Sequence, residues 1–402
     1  MPNLLQAGDQ PLEFKFDARQ TDAGAVLLFS IADGALYLTR EIPGLVTEWQ
    51  HHDLSSARIR RDLPNGRCTD FATAQAVPLG GEAGALHLAM VVSDGGTDHL
   101  YLSLSNPAYA LGWRAAPTWI ACPFNAGPQP AGMLITRVQI GDANDHAFVI
   151  VDAVVDAGMP RARAVRYYIE AGRGTAPRWV EHKVPGDIGV RMIPSCLGRC
   201  RGGWDVDGLY LTGQAGERVY MLYAPLYNPF NLRQPPWSRH LEIPGKLAPE
   251  AVAACRHPDN TSDLYVTAGG GLYYFSAANQ NEGAQGLRIV AAPAFEGVKQ
   301  LFVARADGHV TVWGLTQAGR VVHTRADVAY VADPGAWSAP GVILTDVDAI
   351  APFPQRGHAD DTLFAHTTTG LVEVVRSSSN SVWIGHDVVL PRQDGRGINP
   401  PG

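Results

Sequence analysis

One short sentence of residues recurs along this chain: an alternating apolar strand, a glycine-bearing turn, then a second alternating strand. It is plainest in "AVLLFSIADGALYLTR" (25–40), "GLYLTGQAGERVYMLY" (208–223), "DLYVTAGGGLYYFS" (263–276) and "HVTVWGLTQAGRVVHTR" (309–325). Looser copies lie at 85–105, 147–170 and 362–376. Alternation with a period of two means that one face of each strand is covered by a neighbour. Gly34, Gly216, Gly271, Gly319 and Gly370 sit where a tight hairpin turn needs a residue free to adopt positive φ. A tyrosine opens the second strand in five copies, at Tyr37, Tyr101, Tyr167, Tyr220 and Tyr273.

Each hairpin has two further extended pieces around it. Ahead of it runs a short apolar stretch, such as "LEFKFDA", "MLITRVQI" or "KQLFVAR". Behind most copies a tryptophan starts another: Trp49, Trp113, Trp179, Trp237, Trp337 and Trp383. That makes about four strands per unit and about 57 residues per unit over the 402-residue chain. A thin sheet of four strands cannot bury both of its faces alone. Radial repetition solves this, because each sheet covers the next and ring closure removes the open ends. The chain is therefore expected to be all-β, a seven-bladed β-propeller with about four antiparallel strands per blade. The expected domain spans 1–391, with repeats beginning near 12, 70, 133, 190, 249, 297 and 345, and a loose tail at 392–402.

Composition agrees with this architecture and removes several functions. Forty-three glycines and 29 prolines suit many turns, while 46% hydrophobic and 18% charged residues mark a chain that folds around a core. The net charge is −7 and no basic run exceeds "RIRR" (58–61), so nothing marks a nucleic-acid groove. No apolar run is long enough for a membrane span. The N-terminus lacks the pattern of a secretory signal, so a cytoplasmic protein, or one released without a classical signal peptide, is expected. Five cysteines, an odd number without a dense framework, read as free thiols.

The residues "LFSIADGALYLTR…W", "LYVTAGGGLYYFS" and "VWGLTQAGRVVHTR…W" resemble tectonin-like propellers and the bacterial seven-bladed propeller lectins that bind fucose. The resemblance implies sugar binding between adjacent blades, on an aromatic face with polar groups nearby. A pyranose offers an apolar C–H face to a ring, and its hydroxyls need fixed donors and acceptors. Lectins of this kind carry a His-Arg-Trp grouping after the hairpin. Here "VVHTR" (321–325) has no tryptophan beside it, whereas "TEWQHHD" and "PPWSRHLE" place His and Arg beside Trp in another order. The candidate platforms are thus Trp49 with His51 and His52, Trp237 with Arg239 and His240, and then Trp113, Trp179, Trp337 and Trp383. Each competes with a plain role in the core.

A second arrangement uses the first strand of each unit. Arg19, Arg137, Arg256 and Arg305 fall near the ends of these strands, with His257 beside Arg256. Pointing into a central funnel, they would form a positive ring for an anionic small molecule. That supports a rival reading, an enzyme of hydrolase, lyase or isomerase type. A protein-interaction scaffold is a third. Cys196, Cys200, Cys255 and His257 have the ligand types that zinc accepts, but in loose spacing on two units, and no metal site is assigned. No cofactor is expected. The first reading is a non-enzymatic glycan-binding module, suited to a homo-oligomer through multivalency.

Overall fold

The computed structural model describes residues 15–20, 26–41, 49–54, 57–75, 86–106, 117–124, 129–130, 132–143, 146–160, 162–172, 178–182, 199–201, 207–215, 218–225, 237–257, 262–280, 283–306, 308–354, 361–376 and 383–388. They form seven four-stranded antiparallel sheets, each in plain sequence order. Sheet 1 holds β1 (Phe16–Gln20), β2 (Val26–Ala32), β3 (Ala35–Glu41) and β4 (Trp49–Asp53). A short helix, α1 (Ala57–Asp62), leads to sheet 2: β5 (Arg67–Gln75), β6 (Leu86–Ser93), β7 (Asp98–Asn106) and β8 (Ile120–Ala121). Sheet 3 is β9 (Leu134–Ala143), β10 (His146–Val155), β11 (Arg163–Gly172) and β12 (Arg178–His182). Sheet 4 is β13 (Arg199–Arg201), β14 (Asp207–Ala215), β15 (Arg218–Pro225) and β16 (Trp237–Glu242). Sheet 5 is β17 (Pro249–Arg256), β18 (Ser262–Ala268), β19 (Gly271–Phe275) and β20 (Leu287–Val290). Sheet 6 is β21 (Val298–Ala306), β22 (His309–Thr316), β23 (Val321–Asp327) and β24 (Gly341–Leu344). Sheet 7 is β25 (Val347–Pro354), β26 (Asp361–Thr367), β27 (Gly370–Arg376) and β28 (Trp383–Val388). Two compact units divide them. One contains sheets 1–3, the other sheets 4–6 and nearly all of sheet 7.

Within each unit, successive sheets pack face to face. Sheets 1 and 2 share a core of Phe29, Leu38, Phe71, Leu88, Met90 and Trp119. Sheets 2 and 3 share Ala89, Val91, Leu100, Ile135, Tyr167 and Trp179. The strand β6 shows why its sequence is apolar throughout: Leu88, Met90 and Val92 serve one interface, Ala89 and Val91 the other. In the second unit, sheets 4 and 5 join through Leu241, Val252 and Phe275. Sheets 5 and 6 join through Tyr265, Phe295, Val312 and Trp337, and sheets 6 and 7 through Trp313, Leu315, Ile350 and Leu363.

The hairpin glycines have a second task besides turning. Asp33 and Gly34 both have positive φ (50° and 74°), the two-residue turn whose twist matches its strands. The carbonyl of Gly34 accepts from Cys68 N at 2.7 Å, on the first strand of the next sheet. Gly319 O accepts from Val347 N (3.0 Å) in the same way, and Gly270 O accepts from Phe295 N (2.9 Å), just ahead of the first strand of sheet 6. Tryptophans in or beside the fourth strands add a matching tie in the first unit. Trp119 donates its Nε1–H to Leu54 O (2.8 Å) and Trp179 donates to Cys122 O (3.1 Å), each acceptor lying just after the fourth strand of the preceding sheet. No helix among the described residues is long and apolar enough to cross a membrane.

Candidate functional site

Beside the apolar contacts of Leu315, Ile350 and Leu363, part of the face that sheet 6 turns toward sheet 7 is polar. Strand register places Trp313 opposite His323 and Thr311 opposite Arg325, and alternation puts all four on one face of β22 and β23. Sheet 7 brings Asp361 from the start of β26, Arg376 from the end of β27 and Trp383 from the start of β28. Asp361 is the hub. Its Oδ1 accepts from Thr311 Oγ1 at 2.8 Å, and its Oδ2 lies 3.4 Å from Arg325 Nη1, 3.7 Å from His323 Nε2 and 3.9 Å from Arg376 Nη1.

Burial would raise the Asp361 pKa, but the nearby His323, the hydrogen bond from Thr311 and the Arg325 charge outweigh it, so the carboxyl sits below its ordinary range. It is therefore an anion at neutral pH, fixed among donors. The Trp383 ring meets His323 edge to face, with centroids 5.1 Å apart and planes at 82°, and remains half-buried. Trp313, by contrast, is wholly buried. Its Nε1, together with His323 Nε2 and Arg325 Nε, is a buried polar atom with no hydrogen-bond partner among the described residues. Such atoms are uncommon in folded proteins and mark a site where a further polar group would be welcome.

The other sequence candidates separate clearly. Trp179 and Trp337 are corrected from ring platforms to core. They are 5% and 8% exposed, and their indole N–H groups are spent on Cys122 O and Val331 O. Trp179 also packs against Tyr167 and Phe124, and Trp337 against Tyr265, leaving no ring face for a sugar. Trp113 lies outside the described residues. Trp119, which was not singled out in the sequence, makes the buried sheet-to-sheet contact in that repeat. Trp237, Arg239 and His240 belong to β16, opposite Leu222, Met221 and Tyr220, and their side chains lie outside the described residues.

Trp49 is half-buried on the edge strand β4 and shares a face with His51. His51 Nδ1 is 2.9 Å from Thr39 Oγ1. Burial, and then the neighbouring His52, lower the His51 pKa; burial and then Arg40 lower that of His52. Aligning the hairpins on Gly34 and Gly319 puts buried Leu38 at the place of His323, so this sheet offers no counterpart of the Asp361 cluster.

The arginines proposed for a funnel are already engaged in part. Arg19 pairs with Asp17 at 2.7 Å and donates to Thr73 O, also 2.7 Å, which corrects it from ligand group to sheet fastener. Arg137 is half-buried opposite Asp152. The Arg256 side chain lies outside the described residues, while Arg305 Nη1 is 2.7 Å from His257 Nδ1. Cys68, Cys122 and Cys255 are buried free thiols. Burial pushes Cys122 and Cys255 up to about 12, so neither is a thiolate at neutral pH. Cys196 and the Cys200 side chain lie outside the described residues. No group of three metal-ligating side chains occurs among those described.

Comparison with known proteins gives fold likenesses only. No family model matches the chain, and no curated protein matches it. Among solved structures it is similar to a fucose-binding lectin of Aleuria aurantia, described as a six-bladed β-propeller (11% identity, 94% of this chain and 96% of that one, TM-score 0.43). A mutant of that lectin in complex with Fucα1-6GlcNAc gives 12% identity over the same shares, also with TM-score 0.43. An α-L-arabinanase of Penicillium chrysogenum, complexed with arabinobiose, gives 14% identity, 80% of this chain and 96% of that one, and TM-score 0.46. An anionic acceptor, two guanidinium groups, an imidazole and a half-open indole can hold a ligand with several hydroxyls and one apolar face.

Proposed function

We propose that this protein binds carbohydrate in the cleft between sheets 6 and 7, with Trp383 as the ring platform and Asp361, Arg325 and His323 as the polar wall. The reading rests on one observation: the half-exposed Trp383 ring meets the His323 ring edge to face, and His323 Nε2 in turn lies 3.7 Å from the buried Asp361 carboxylate. Asp361 accepts from sugar hydroxyls and the arginines donate to them, while the indole covers C–H groups. No bond need be made or broken, so the role is that of a lectin. On the same reading the seven sheets are seven blades of one tectonin-like propeller reaching residue 391, with 392–402 as its tail.

A glycan array, followed by calorimetry on the strongest hit, tests this. Trp383→Ala and Arg325→Gln should each weaken binding at least about tenfold, near 1.4 kcal/mol, with the fold intact. Absence of any glycan ligand, or unchanged affinity in both variants, would refute the proposal.

A further inference from the structure

The opposite face of sheet 6 carries a second polar cluster with a different design. Arg305 stands near the end of β21, in register with Val310, and Val310 belongs to the core shared with sheet 5. Thr311 and Trp313, one step out of phase, face sheet 7. Arg305 is thus on the far side of the sheet from the Trp383 cleft. Next to it, His257 directly follows β17, the first strand of sheet 5, which lies alongside β21.

Arg305 Nη1 donates to His257 Nδ1 at 2.7 Å. That bond needs a lone pair on Nδ1, which puts the imidazole proton on Nε2. Nε2 lies 2.8 Å from Asp263 Oδ2, in contact but poorly directed as a hydrogen bond. Asp263 is itself buried, and its Oδ1 accepts from Ala277 N at 2.8 Å. The carboxylate is therefore anchored, the imidazole packs against it, and the guanidinium is aimed by the imidazole.

Among the described residues Arg305 makes no ion pair with any carboxylate. A half-buried arginine normally has one. A neutral imidazole in between orients the guanidinium without covering it. The remaining N–H groups form a two-pronged donor edge, the geometry that fits oxygen pairs of carboxylate, phosphate or sulfate. The His257 ring is partly open, its side chain 27% exposed, so the cluster reaches solvent.

We infer that Arg305, held in place by His257 and Asp263, is an oxyanion-binding site at the end of the first strands of sheets 5 and 6, independent of the sugar cleft. Its ligand is an oxyanion, either free or carried on a small molecule; the two sources are separated by comparing inorganic phosphate and sulfate with glucuronate. His257 is a positioning residue and Arg305 the ligand-contacting one.

The test is calorimetric titration of the whole chain with each probe at constant ionic strength set by chloride. Saturable binding of at least one probe is expected, with a loss of tenfold or more in Arg305→Gln and in Arg305→Lys, which keeps the charge but not the fork. His257→Gln, whose amide oxygen can still accept from Arg305, should retain more affinity than His257→Phe at equal thermal stability. Arg325→Gln should bind the probe as the wild type does. The inference is overturned if no probe binds beyond the chloride background, if Arg305→Lys binds as tightly as wild type, or if Arg325→Gln loses the binding instead.

Discussion

Trp179 and Trp383 both lie in the fourth strand of their sheet, yet they do different work. Trp179 is sealed between sheets 2 and 3, with its N–H on Cys122 O, whereas Trp383 keeps part of its ring open beside His323. Trp179→Ala should therefore cost about 3–5 kcal/mol in urea unfolding, the range for emptying a buried aromatic site. Trp383→Ala should cost far less and be read in ligand affinity. Asp361 supplies a pH signature. Its folded pKa lies below the unfolded value near 3.9, so its contribution is complete above that value and disappears as pH falls through the folded one. The stability advantage of wild type over Asp361→Asn should shrink as the medium is acidified below about pH 4, and a persistent gap at low pH would contradict this. Of this site the sequence singles out only Trp383. "VVHTR" has no tryptophan beside it, and none of His323, Arg325 and Asp361 is picked out, because the contact between sheets that joins them leaves no short-range mark. Whether a given tryptophan faced solvent was equally illegible, because every repeat spells it the same way.

The hairpin is the element that the sequence displays best. Alternation with glycine at the turn identifies it without any tertiary information, as the registers of β2 with β3 and β22 with β23 bear out. What the pattern hid is the use made of the turn carbonyl. At Gly319, with φ of 72°, an added Cβ would come within 3.1 Å of Val347 O and 3.3 Å of Val347 N, backbone atoms at the start of sheet 7. Gly319→Ala should thus lose about 2 kcal/mol, roughly 1 from the left-handed backbone and the rest from the crowded junction. Chemical denaturation measures it. Gly308→Ala, also at positive φ but with open space around it, should lose only the backbone share. Equal losses at the two positions would show that the junction carries no weight.

Across the whole molecule, similar repeats do not imply similar sites. Leu38 replaces His323 in sheet 1, and between sheets 5 and 6 the rings of Tyr265, Tyr274 and Trp337 are buried, so the polar cluster there has no open ring beside it. Calorimetry with a bound glycan should accordingly give about one site per chain, at the Trp383 cleft; a value of several per chain would refute that count. The ties between sheets carry a consequence for biogenesis. Gly34 O with Cys68, Gly270 O with Phe295, Gly319 O with Val347, and the two indoles that reach back to Leu54 and Cys122, all fasten a sheet to the one translated just before it. Within each unit, a nascent chain leaving the ribosome can consequently add sheet upon sheet, each of these newcomers finding its dock already built and waiting for no distant partner.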